Sequence, residues 1–144
     1  MKILIMGLPG SGKTYLAERL QPLLNAAWYN ADKVREMAND WDFSPKGRVR
    51  QSLRMRNLAD FEKKHNRTVL CDFVCPTKET QNIFHPDIII WMNTIKKGRY
   101  EDTNKMFENP TNVDYEVNEF NDKNHNEIAK KIIDLSLIHI SEPT

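Results

Sequence analysis

Short apolar runs alternate along this chain with longer stretches in which apolar residues recur every three or four positions. Residues 2–6 are rich in Ile and Leu and fit a buried central strand. Over residues 14–24, Leu16, Ala17, Leu20, Leu23 and Leu24 fall at helical spacing, and Pro22 is expected to weaken the last turn. A second strand is predicted at 26–29 and a helix at 31–39. Trp41-Asp42-Phe43-Ser44-Pro45 breaks the pattern, with Ser44 suited to cap a helix that has Pro45 at its first position. From there to about His65 the chain is polar and strongly basic, with Val49, Leu53, Leu58 and Phe61 as the expected inner face. Two more buried strands are predicted at 67–71 and 87–92, separated by a short helix at 77–84. Residues 98–112 are polar and lack a core face. A last strand is expected at 114–117 and a closing helix at 121–134, with Ile128, Ile132 and Ile133 on one side.

Strands alternating with helices predict an α/β fold in three layers, a parallel sheet flanked by helices on both faces. The 144 residues suffice for one core, and no repeat or linker divides them. The final ten residues, 135–144, read like a translated transposon adapter from sequencing-library preparation rather than native protein. Adapter sequence in the coding DNA would bear that out; the other reading is a natural apolar strand or helix end. The expected domain is therefore 1–134, with the native C-terminus missing.

Charge narrows the function classes. With 21 Lys+Arg against 20 Asp+Glu, the net charge of +1 gives no global attraction to nucleic acid or membrane. The apolar run at Ile3 to Met6 is too short for a signal peptide, and no stretch approaches a membrane span, so a cytoplasmic protein is expected. Cys71 and Cys75 lie too close in sequence to frame a disulfide fold and lack a second ligand pair for zinc; they read as reduced thiols. None of the four histidines has metal-like or triad-like spacing.

The informative motif is Gly7-Leu8-Pro9-Gly10-Ser11-Gly12-Lys13-Thr14, which meets the G-x-x-x-x-G-K-[ST] spacing of a phosphate-binding loop. Its glycines allow a tight turn that aims backbone N–H groups at phosphate oxygens, and the following helix adds its positive end. Gly7, Pro9, Gly10, Ser11, Gly12, Lys13 and Thr14 are the candidate ATP-binding residues, with Thr14 able to ligate Mg2+. A strand before the loop and a helix after it supply the context the motif requires, which makes the expected fold that of a P-loop NTPase or kinase.

A second substrate would be held at the same sheet edge, so the residues just after each strand are the next candidates. Asp32 could serve as acceptor base or help hold magnesium, and Arg35 could bind an anionic acceptor. Both also fit a capped helix start with a solvated arginine. Asp72 ends an apolar run, as a magnesium-associated acid would, or as a turn residue would. Phe73 could stack on a planar base, although a lone aromatic is more often core. Of Arg48, Arg50, Arg54 and Arg56, only Arg48 lies near the expected edge; the rest read as a solvated face. Residues 98–105 suit a lid that closes cations such as Lys105 over phosphates, or an exposed loop with no such duty. Trp28, Trp41 and Trp91 read as packing residues.

With these pieces in order, the chain resembles the adenylylsulfate kinase family, particularly its short, phage-like members. The resemblance rests on the phosphate loop, Asn30-Ala31-Asp32-Lys33-Val34-Arg35, Asp42-Phe43-Ser44 with Arg48, Phe73-Val74-Cys75-Pro76 and the lid-like 98–110 stretch. It implies Mg-ATP-dependent phosphorylation of the 3′-hydroxyl of adenylylsulfate, a step of sulfate assimilation. Carried over, Asp32 would serve the acceptor hydroxyl and magnesium, and Arg35 and Arg48 the phosphosulfate. Phe43 would contact the adenine with Phe73 and Val74 close by, and Gln51 aligns where the family usually has Asn. Asn30 and Ala31 replace the family's leading Asp-Gly, Cys75 replaces its serine, and the arginine expected after Pro76 is absent, Lys78 being the nearest cation. The rival readings are a nucleoside, nucleotide or polynucleotide-end kinase, whose Arg48 to Arg56 stripe would face nucleic acid, and a non-catalytic ATP-binding module. A homodimer is left open.

Overall fold

The computed structural model describes residues 1–119 and 125–141. Five strands form one parallel sheet: β1 (Lys2–Met6), β2 (Ala27–Asn30), β3 (Val69–Asp72), β4 (Ile88–Met92) and β5 (Tyr115–Val117), in the spatial order β2-β3-β1-β4-β5. Among the described residues six helices connect and cover them: α1 (Lys13–Leu24), α2 (Ala31–Ala38), α3 (Pro45–Lys64), α4 (Lys78–Phe84), α5 (Glu101–Met106) and α6 (His125–Ser141). The first four positions of the closing helix expected from residue 121, and residues 142–144, lie outside the described residues.

Because strand side chains alternate between faces, β1 feeds two cores. Ile3 and Ile5 join Leu16, Ala17 and Leu20 of α1 and Ile128, Ala129 and Ile132 of α6. Leu4 and Met6 face the other way, onto Val34 of α2, Met55 and Ala59 of α3, and Phe84 of α4. These are the three layers. At the amino ends of the strands, Asp87 accepts from Lys2 N at 2.7 Å and from Lys63 Nζ at 2.9 Å, tying β1, β4 and the end of α3 together.

Helix boundaries follow local chemistry. Ser44 caps α3 by accepting from Gly47 N, with Pro45 in the first turn. Pro22 does not shorten α1, which runs on to Leu24 and closes on Asn25 in the left-handed conformation. The inner face of α3 differs from the one expected. Phe61 is exposed and Val49 and Leu53 are only partly covered, whereas Arg48, Gln51, Ser52, Met55, Ala59 and Glu62 are buried. Gln51 and Glu62 are accommodated on that face by partners: Gln51 Nε2 donates to Ala31 O, and Glu62 accepts from Arg67 and Tyr29. The polar 98–112 stretch also contains α5, a short helix unforeseen in the sequence.

Candidate active site

The carboxyl ends of β1, β3 and β2 lie side by side, and each delivers functional groups to one edge. The phosphate loop leaves β1 at Gly7. A side chain there would bring its Cβ within 2.7 Å of both Met92 O and Ser11 Oγ, so only glycine lets the loop pass this close to β4. At its far end Gly12 is the N-cap of α1 and offers no side-chain cap, which leaves the first N–H groups of a 12-residue helix for a ligand. Ser11 Oγ is buried and, among the described residues, has no hydrogen-bond partner. An orphaned buried hydroxyl beside an uncapped helix start fits a phosphate group. Lys13 Nζ donates to Leu8 O at 3.0 Å within the loop. Burial pulls its pKa down to about 8 against the opposing pull of Asp72 and Asp32.

Asp72, at the end of β3, is the hub of a polar cluster. Its Oδ2 accepts from Thr14 Oγ1 at 2.9 Å and from Asn30 Nδ2 at 3.0 Å, while Oδ1 accepts from Trp28 Nε1 at 2.7 Å. Asn30 Nδ2 also reaches Thr14 Oγ1 at 3.3 Å. Burial raises the Asp72 pKa, and the three hydrogen bonds oppose that rise. No group of three or more His, Cys, Asp or Glu side chains arranged for a metal occurs among the described residues. Magnesium needs none: it keeps water and takes one or two carboxylates plus substrate phosphates. The Thr14 hydroxyl and Asp72 carboxylate fit that donor set. Asp32 is exposed in the first turn of α2, beyond Asn30, which caps that helix by accepting from Lys33 N.

A second cluster forms around Phe43. The Arg35 guanidinium stacks 4.4 Å from the ring centroid and that of Arg48 lies at 5.5 Å, while the ring remains half exposed. Arg35 donates to Asp40 O and Asp42 O; Arg48 donates to Phe43 O and to Thr103 Oγ1 of α5. Both arginines are at most 9% exposed, and among the described residues neither is ion-paired with a carboxylate. Burial lowers the pKa of each, Asp40 opposing at Arg35 and Asp102 at Arg48. Arg50 and Arg54, by contrast, are spent on Asp40. An open cleft of about 700 Å³ runs from Phe43, Ser44 and Pro45 to Asp102, Lys105 and Met106, so Lys105 lies on its α5 side.

Other sequence candidates are placed elsewhere. Gln51 is buried, with its amide joining Ala31 O and Arg54. Phe73 is 6% exposed and packs edge-on against Phe84 at 5.3 Å, and Val74 beside it is partly covered. Trp41, read as a packing residue, is 51% exposed, its ring 6.5 Å from Phe43. Trp28, read as a packing residue, packs on the core and also donates to Asp72, while Asn30 as a donor to Asp72, and Thr103, were not singled out in the sequence. Their partners are 44, 42 and 55 positions away, and spacing along one segment carries no trace of them.

Parallel sheet, phosphate loop and helix-covered faces define a P-loop kinase. The chain belongs to the adenylylsulphate kinase family, whose model matches residues 1–89. Over 88 residues it is 33% identical to a probable adenylyl-sulfate kinase of Aeropyrum pernix, a match covering 55% of this chain and 46% of the relative. The chain thus spans about half the length of that curated relative. Its structure is similar to that of the Mycobacterium tuberculosis APS kinase CysC in complex with AMPPNP and APS, with a TM-score of 0.79 at 19% identity, covering 93% of this chain and 95% of the other. Shikimate kinase from Aquifex aeolicus matches at a TM-score of 0.65 and 17% identity over 99% of this chain and 100% of that one. At such identities these likenesses are of fold.

Proposed function

We propose that this chain is a Mg-ATP-dependent kinase that phosphorylates the 3′-hydroxyl of adenylylsulfate. The observation that carries the acceptor reading is the pair Arg35 and Arg48. Buried guanidiniums without carboxylate partners are costly unless an anion arrives with the ligand. A phosphosulfate is such an anion, and Phe43, stacked between the arginines and the cleft, offers a face to a planar base.

The phosphate-loop amides, Lys13 and Ser11 would hold the ATP phosphates, and Thr14 and Asp72 the magnesium. Bound there, the metal would neutralise charge on the transferring phosphoryl group. Lys13 would add a second positive charge at the same oxygens. Its lowered pKa reflects an unfavourable burial that phosphate would relieve. Asp32, exposed at the first turn of α2, would accept or orient the acceptor hydroxyl proton. Lys105 and Thr103, on α5, would follow the acceptor as the lid closes.

The test is ADP release from Mg-ATP with adenylylsulfate, a panel of nucleosides and a 5′-hydroxyl oligonucleotide. Stimulation by adenylylsulfate alone is expected. Stimulation by another acceptor would overturn the substrate and keep the kinase; silence with all would point to a binding module.

A further inference from the structure

β2 and β3 run parallel in a register that sets Trp28 opposite Leu70 and Asn30 opposite Asp72. Residues two apart on a strand share a face, so Trp28 and Asn30 project on the same side. On that side they meet the Asp72 carboxylate from two directions. Trp28 takes Oδ1 and Asn30 takes Oδ2, where Thr14 also donates. A carboxylate held at one oxygen can still swing about its Cβ–Cγ bond; one held at both, by donors on different residues, has its plane fixed. Bonds from N–H groups to a charged oxygen are also about twice as strong as neutral ones. The indole at 2.7 Å is the shortest of the set.

An indole N–H can only donate, so Trp28 has no means of ligating a cation or moving a proton. Its ring packs on the core and lies 5.8 Å from the Lys33 ammonium, and its N–H contributes to the carboxylate's position and charge. Asn30 adds a second link, because its amide touches both Asp72 Oδ2 and Thr14 Oγ1, the two groups suited to the metal. The resemblance places an aspartate where Asn30 stands. Here the carboxylate at the Thr14 hydroxyl comes from Asp72, the register partner one strand over, and position 30 supplies a donor to it.

We propose that Trp28 and Asn30 are positioning residues that clamp the Asp72 carboxylate against Thr14 and thereby set the magnesium affinity of the nucleotide site. The inference rests on reading this edge as a Mg-ATP site, and on no particular acceptor. Partners that orient a metal-associated group typically contribute ten- to a hundredfold in metal affinity, so losing one of three bonds should weaken magnesium about tenfold.

The experiment measures magnesium binding to the protein–ADP complex by calorimetry, alongside ADP binding in EDTA and thermal unfolding. Trp28→Phe keeps an aromatic ring and removes the N–H. It should raise the magnesium dissociation constant about tenfold and leave metal-free ADP affinity unchanged, with the melting temperature lowered by the bond lost to a buried carboxylate. Asn30→Ser keeps a residue able to cap α2 but is too short to bridge, and should act in the same direction. In the unsubstituted protein, the indole ¹H–¹⁵N resonance that Trp28→Phe removes should shift when magnesium is added to the ADP complex. Magnesium affinities within twofold of the parent in both variants, or an unmoved indole resonance, would overturn the clamp. Magnesium effects as expected with no turnover on any acceptor would sink the acceptor assignment and support the clamp.

Discussion

Arg35 and Arg48 give up most of their water yet bond mainly to carbonyl oxygens, which leaves their charge unneutralised. For a purely structural arginine this is a poor arrangement, since replacing buried ionic groups with apolar ones of similar volume is often neutral or stabilising by about 1–4 kcal/mol. Arg48→Met should therefore leave the melting temperature unchanged or higher. It should raise KM for the acceptor at least about tenfold, one lost charge-assisted contact being worth roughly 1.5–3 kcal/mol. Thermal unfolding and steady-state kinetics on one preparation decide it: a large loss of stability with unaltered KM would make Arg48 a strut for α5 and nothing more. The thiols show the opposite economy. Burial pushes Cys75 up to about 12 and Cys71 higher still, so both stay protonated and unreactive in the folded chain. At this scale the sequence was readable wherever chemistry is local. The phosphate loop is eight consecutive residues, and Arg48 stands four residues past a helix cap. Trp28 and Thr103 were not readable, because each acts through a partner that only the fold brings near.

Element boundaries carry the proposed acceptor side of the site. Gly47, in the first turn of α3, lies so close to the loop before that helix that an added Cβ would run into Asp42 O and its carboxyl carbon. That loop presents Phe43, and its carbonyls receive Arg35 and Arg48. Gly47→Ala must push the loop away, since backbone cannot yield as a flexible side chain does. We expect a loss of about 1–3 kcal/mol in stability, the usual penalty for overpacking, with acceptor KM raised and metal-free ADP affinity untouched. Urea unfolding together with the two binding measurements would check it; a weakened ADP affinity would mean the strain spreads to the phosphate loop. The order of strands and helices was legible because alternating apolar runs and helical spacing are strong signals. The inner face of α3 was not, because its count of apolar residues points to Phe61 and Leu53. The helix instead turns Gln51, Ser52 and Glu62 inward, where backbone and side-chain partners await Gln51 and Glu62.

For the whole molecule the open question is which residues make up the folding unit, and α6 is where it can be asked. Ile128, Ala129 and Ile132 are buried with α1 and β1, and all precede residue 135. Beyond them Leu135 packs on the edge of that core and Ser136 is buried, while Leu137 and Ile138 are more than half exposed. We propose that 1–134 is the domain and 135–144 an appendage whose described residues, 135–141, continue α6 without being needed by it. Fully burying a leucine contributes about 1.5–3 kcal/mol, so the partly covered Leu135 contributes roughly 1 kcal/mol. A chain ending at Asp134 should melt about 3–5 °C lower and bind Mg-ADP with unchanged affinity, because the α1 residues that share a core with α6, Leu16, Ala17 and Leu20, lie past the phosphate loop. Removing the exposed Leu137 and Ile138 should also reduce self-association on sizing chromatography. A shortened chain that fails to fold would make the last turns of α6 part of the core and refute the 134-residue boundary. The proposed magnesium site at the carboxyl ends of β1, β2 and β3, and the proposed acceptor cluster around Phe43, would stand in either case, since neither is built from α6.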